Sequence, residues 1–156
     1  VILRPNWFMD NFHTIWLEPI RNAGVIPLPA AGSRTSLIDA RDIAACAAAA
    51  LEEDRFDGAA YTLTGPEAIT FTDAAETLSQ VTSRRIVYAP VDDEAFVQSG
   101  VQAGLPEDLA RYLALLFSYA RQGATSPVSP AVEHLTGQAP RNLAEYARDH
   151  AGNWPR

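Results

Sequence analysis

Short apolar runs alternate with stretches of helical periodicity along most of this chain. Val1-Ile2-Leu3 is an apolar run closed by Arg4-Pro5, as expected of a buried strand leaving a sheet. Phe8, Phe12, Ile15 and Trp16 recur at helical spacing and predict an amphipathic helix over residues 10–20, interrupted by Pro19 and stopped by Gly24. Residues 25–28 read as a strand whose prolines place it at an edge or in a loop. A small-residue turn over 30–34 leads to a short strand at 35–38.

The helical half follows. Asp39 is an N-cap for a helix reaching about Glu53, with Asp42 at its third position. Its alanines, Ala44, Ala45, Ala47 and Ala48, form a face that permits close approach to a sheet. Asp57-Gly58 is a turn, and residues 61–64 are a strand ending at Gly65-Pro66. Thr70 with Asp73 opens a helix to about Val81, and residues 85–91 read as a strand before the Asp92 cap. Pro106-Glu107-Asp108 starts a helix to about Arg121, ended by Gly123. Ser129-Pro130, and Asn142 with Glu145, open two short final helices. Strands alternate with helices and then helices dominate, which is α/β in class. Residues 1–156 read as one region without internal repeats.

Composition narrows the chemistry. A hydrophobic share of 47% with 20% charged residues is that of a globular chain, so extensive disorder is excluded. The net charge of −7 repels nucleic-acid phosphate. All 12 basic residues are arginine, which removes a Tyr-x-x-x-Lys dyad, a Schiff-base lysine and a P-loop lysine from this segment. Cys46 is the only cysteine and lies in an alanine run, so it reads as a buried small residue. No intrachain disulfide can form, and the reducing cytoplasm is the expected compartment. His13, His134 and His150 lie in different elements without metal-ligand spacing, and no metal site is expected. No glycine-rich phosphate loop and no Gly-x-Ser-x-Gly can be written. No apolar stretch approaches the ~20 residues of a membrane helix. Val1 begins mid-pattern without an initiator Met, so the chain reads as part of a longer polypeptide.

The stretch richest in candidate chemistry is Leu3-Arg4-Pro5-Asn6-Trp7-Phe8-Met9-Asp10-Asn11-Phe12. A strand ends and an aromatic, amide-bearing loop enters a helix. Loops at the carboxyl ends of strands line the ligand crevice of open α/β sheets. The same aromatics would also serve as a hydrophobic staple and a helix face.

Four landmarks occur in order: Leu3-Arg4-Pro5 with Trp7-Phe8 and Asn11; Ile38-Asp39 through Asp42-Ile43-Ala44; Tyr61 and Leu63-Thr64-Gly65-Pro66-Glu67-Ala68; and Leu135-Thr136-Gly137 with Pro140-Arg141. In this order they resemble the NmrA-like group of short-chain dehydrogenase/reductase-like proteins, which includes quinone oxidoreductase-like proteins. The resemblance covers nearly the whole chain. It implies the C-terminal part of a Rossmann-type NAD(P)-binding fold plus a mostly helical substrate-binding subdomain. The glycine-rich half, with the usual Tyr/Lys region, would lie upstream of Val1.

By that resemblance, Pro5, Asn6, Trp7 and Phe8 would pass beside the nicotinamide, and Arg34 would reach the cofactor or substrate. Met9, Phe12 and Trp16 would face a substrate cavity, with residues of the 105–117 helix. NADP or NAD would bind mainly through the upstream half. The implied activity is hydride transfer from NAD(P)H to a small carbonyl or quinone acceptor. No catalytic residue is assigned; Tyr88 and Tyr112 are the tyrosines to inspect. The expected partner is this small-molecule acceptor, with no nucleic acid and no membrane. Two other readings fit the same residues. One is a dinucleotide-sensing regulator without turnover. The other is a truncated ligand-binding or interaction domain that forms a homo-oligomer to cover its bare parallel strands.

Overall fold

A computed structural model describes residues 1–154. β1 (Ile2–Pro5) pairs in parallel with β4 (Ala60–Leu63), Ile2 facing Ala60 and Pro5 facing Leu63. β2 (Val25–Ile26) runs parallel to β6 (Val87–Tyr88). β3 (Arg34–Thr35) lies antiparallel to β5 (Ile69–Thr70), and a parallel bridge joins Phe8 to Ile38. The mixed α/β character matches the pattern reading. Parallel pairs demand crossovers, and the helices between the strands supply them.

The helices are α1 (Leu17–Ala23), α2 (Ala40–Glu52), α3 (Phe71–Thr82), α4 (Asp93–Gln102), α5 (Glu107–Arg121), α6 (Ala131–Thr136) and α7 (Leu143–Asp149). Their starts follow the capping residues. Asp39 accepts from the Arg41 N–H, and Asp92 from that of Ala95. Thr70 with Asp73, and Asn142 with Glu145, form reciprocal capping boxes. Gly24 closes α1 in the left-handed conformation at φ 66°.

Local signals misread three places. The helix expected over 10–20 is a 3-10 turn (Met9–His13) followed by α1. Pro19 does not interrupt: it is the third residue of α1, where a missing N–H costs no helical hydrogen bond. Of residues 85–91 only Val87 and Tyr88 are strand, because pairing requires a partner and β2 is equally short. Ala44, Ala45 and Ala48 are exposed; α2 turns Asp42 and Cys46 inward instead.

The main core joins Phe12, Trp16 and Ile20 to Phe71, Leu78 and Phe117. A second cluster joins Ile38, Cys46, Phe56 and Leu63 to Val132 and Leu135. Burial and the nearby Asp42 carboxylate push the Cys46 thiol up to about 11, so it is an inert packing group. A third, small cluster of Val97, Ala110 and Ala114 lies between α4 and α5. No described helix is long and apolar enough to cross a membrane.

The C-terminal helix docks on the 3-10 turn. His13 Nδ1 bonds the Tyr146 hydroxyl, the His13 and His150 rings stack at 4.7 Å, and Trp154 Nε1 donates to the Phe12 carbonyl at 2.9 Å. Burial and the His150 charge lower the His13 pKa below its ordinary 6.5, against weaker opposition from Asp10 and Asp39. A depressed histidine contributes stability that is complete above its unfolded pKa and lost as pH falls below it. Melting temperature is therefore expected to fall as pH drops from 7.5 through 6.5 towards the lowered pKa, and His13→Gln to flatten that fall. An unchanged slope in the variant would assign the proton uptake to another group.

Candidate functional site

The loop leaving β1 is tied down atom by atom. The Asn6 N–H extends the β1–β4 ladder to the Leu63 carbonyl at 2.9 Å. Ile38 donates to the Trp7 carbonyl, and Met9 donates back to the Ile38 carbonyl at 2.8 Å. The Asn6 side chain donates to Ser36 Oγ and to the Thr125 carbonyl, each at 2.8 Å, and its Oδ1 accepts from the Trp7 N–H. Three segments far apart in sequence are thus held at one point.

Trp7 stacks on Phe117 of α5 at 4.6 Å, with Trp16 at 5.8 Å on the same cluster. Between this loop and α5 opens a cleft of about 380 Å³. Pro5, Asn6, Trp7 and Phe8 line one side, Asn11 and Ile15 continue it, and Leu113 and Leu116 face them. Apolar walls with a few polar groups suit a flat organic ring. Among the lining residues none is acidic or basic.

The structure brings together four of the loop residues singled out from the sequence, Pro5, Asn6, Trp7 and Phe8, and separates the others from them. Met9, Phe12 and Trp16 are only 2%, 0% and 5% exposed and pack in the main core, not on the cleft wall. Helical spacing marks an apolar face but does not say whether a cavity or the core lies against it. Arg34 is absent from the cleft: its guanidinium donates to the Ala68 carbonyl at 3.0 Å and ties the antiparallel β3–β5 pair. Tyr88 packs on Phe71 and donates to the Leu28 carbonyl, and burial raises its pKa. Tyr112 is exposed on α5. Asn11, Ile15, Leu113 and Leu116 are lining residues that were not assigned to the site individually from the sequence. The expectation that residues 105–117 face the cavity was the signal for Leu113 and Leu116, while Asn11 stood in the first landmark and Ile15 in the helical pattern.

The four sequence landmarks prove to be contact partners. The first binds the second through the Phe8–Ile38 bridge. The third packs at the entrance to the second: Gly65 lies so close to Leu37, the residue before Ile38, that a Cβ would stand 2.0 Å from its carbonyl oxygen. The fourth binds the second through Arg141, whose guanidinium pairs with the buried Asp42 and whose N–H donates to it at 2.8 Å. Burial would raise the neighbouring Asp39 carboxyl, but hydrogen bonds and charge from Arg41 outweigh it and hold it below the usual range.

No protein-family model matches the chain. It is 34% identical over 154 residues to the uncharacterized oxidoreductase YesF of Bacillus subtilis, covering 98% of this chain and 54% of that one. It is likewise 34% identical over 149 residues to the NAD(P)H azoreductase of Xenophilus azovorans, covering 96% of this chain and 52% of that one. The Escherichia coli NADPH-dependent quinone oxidoreductase, solved with NADPH, superposes with a TM-score of 0.84 at 26% identity, over 94% of this chain and 52% of that one.

Over nearly its whole length the chain is similar to one half of NAD(P)H-dependent reductases, as its resemblance to the NmrA-like group implies. It spans about half the length of the curated relatives it matches. NAD(P) binding is a property of that group, and the quinone oxidoreductase structure holds NADPH.

Proposed function

We propose that this chain forms the acceptor side of an NAD(P)H-dependent oxidoreductase that passes hydride to a small quinone-type or other carbonyl acceptor. The supporting observation is the cleft at the carboxyl end of β1, with Trp7 and Phe8 on one wall and Leu113 and Leu116 on the other. Its aromatic and aliphatic lining fits a flat nicotinamide and a flat acceptor lying against each other. When bound, the dinucleotide supplies the hydride.

The residues of this chain position and shield. Asn6 and the Ile38 backbone fix the Trp7–Phe8 loop, and Phe117 backs Trp7 so that the indole cannot fold away. Leu113 and Leu116 exclude water from the opposite wall. No acidic or basic side chain of this segment lines the cleft, and a quinone acceptor requires none from it. Two-electron reduction of a quinone leaves a stabilised phenolate that water can protonate, whereas an alkoxide requires a positioned acid.

The test is NADPH oxidation by the complete protein with a panel of quinones and aldehydes. Quinone turnover is expected, and Trp7→Ala is expected to lower kcat/KM by roughly tenfold or more through lost positioning. NADPH binding without turnover on any acceptor would overturn the proposal.

A further inference from the structure

The β1 loop carries two asparagines at the cleft, and their side chains are in opposite states. Asn6 is saturated. A carboxamide has two N–H donors, and those of Asn6 are both spent on Ser36 and Thr125, while its oxygen is engaged by Trp7. It has no donor left for a ligand. Asn11 is the reverse. Its side chain makes no hydrogen bond among the described residues, yet its backbone is held on both sides. Its N–H donates to the Phe8 carbonyl at 3.3 Å, and its carbonyl accepts from Trp16 at 2.9 Å.

An asparagine inside a helical turn ordinarily folds its amide back onto nearby backbone. Thr14, three residues on, does so and bonds the Asp10 carbonyl at 2.8 Å. Asn11 instead stands half-buried on the cleft wall, a polar group amid Trp7, Phe8, Ile15, Leu113 and Leu116. A free amide in an apolar cleft is where a ligand's polar group is selected, since leaving it unpaired against a bound apolar ligand is costly.

We infer that Asn11 is the specificity-determining residue of this cleft, donating its Nδ2–H to a carbonyl oxygen of the acceptor, while Asn6 is a positioning residue that contacts no ligand. The inference rests on the reading of the cleft as an acceptor site. It does not require that the bound acceptor be turned over.

The experiment compares two aromatic acceptors by calorimetric titration of the complete protein loaded with NADP. Menadione presents carbonyl oxygens and crystal violet, a triphenylmethane dye, presents none. Asn11→Leu keeps the volume and removes the amide. It is expected to weaken menadione binding about five- to tenfold, the loss of one hydrogen bond, and to leave crystal violet within about twofold. Its melting temperature should match the parent, because no internal bond is lost. Asn11→Gln, which keeps the donor, should recover part of the menadione affinity. Asn6→Ala should lower the melting temperature and weaken both ligands together. Equal losses for both ligands in Asn11→Leu, no loss for either, or no menadione binding by the parent would overturn the inference. A carbonyl-selective loss in a protein that turns over no acceptor would leave Asn11 in place and remove the enzyme reading. Turnover without that selectivity would do the reverse.

Discussion

Gly65→Ala is expected to lower the melting temperature by roughly 6–12 °C, the equivalent of about 3 kcal/mol in a domain of this size. The cause is contact, not backbone freedom. A Cβ built on Gly65 meets the Leu37 carbonyl oxygen at 2.0 Å and the Leu37 carbonyl carbon at 3.2 Å. Both belong to backbone that is already committed, since the next residue, Ile38, exchanges hydrogen bonds with Trp7 and Met9. Relief must displace either the end of β4 or the loop that lines the cleft. Gly32→Ala is the control: its Cβ meets nothing within 4 Å, and the variant should stay within about 1 kcal/mol of the parent. Thermal unfolding of both variants checks this, and equal midpoints would contradict the close packing.

Arg141→Leu is expected to cost about 2–3 kcal/mol, because it strands the Asp42 carboxylate, only 4% exposed, without its cation. The Arg141 backbone N–H still donates to Asp42 at 2.8 Å, which keeps the loss below that of a fully orphaned charge. Adding Asp42→Asn removes the charge but keeps an acceptor for that N–H. The double variant should therefore be more stable than Arg141→Leu alone, a sign reversal that urea unfolding would detect. A double variant as unstable as the single, or less stable, would mean that the cost arises from lost packing of the arginine stem.

What was legible in the chain was local. The caps at Asp39, Thr70, Asp92 and Asn142 stand where expected because a cap involves residues two or three positions apart. Strand extents were not legible, since Val87 and Tyr88 pair only as far as Val25 and Ile26 reach. The cleft was half legible. Pro5 through Phe8 sit on its wall, but Met9, Phe12 and Trp16, expected by the resemblance to face a cavity, pack in the core. Nothing local distinguishes Asn6 from Asn11. The difference lies in Ser36 and Thr125, separated from Asn6 by 30 and 119 positions. The landmarks that carried the family resemblance were readable for a physical reason: Gly65 against Leu37, and Arg141 against Asp42, leave little room for other residue types.

The α4–α5 hairpin carries the Leu113–Leu116 wall of the cleft, yet it is built around its own small cluster of Val97, Ala110 and Ala114. Phe96 and Phe117 close the hairpin on itself, and it meets the rest of the molecule through Phe117, which stacks on Trp7 at 4.6 Å and contacts Phe71 at 6.2 Å, and through Arg121, which donates to the Pro29 carbonyl. Substitutions inside the Val97, Ala110 and Ala114 cluster touch neither Phe117 nor the Asn6 hydrogen bonds to Ser36 and Thr125. On the proposed function, such a division would make acceptor range an evolvable trait separate from cofactor geometry. A library confined to the hairpin would be the economical route to reductases for new acceptors.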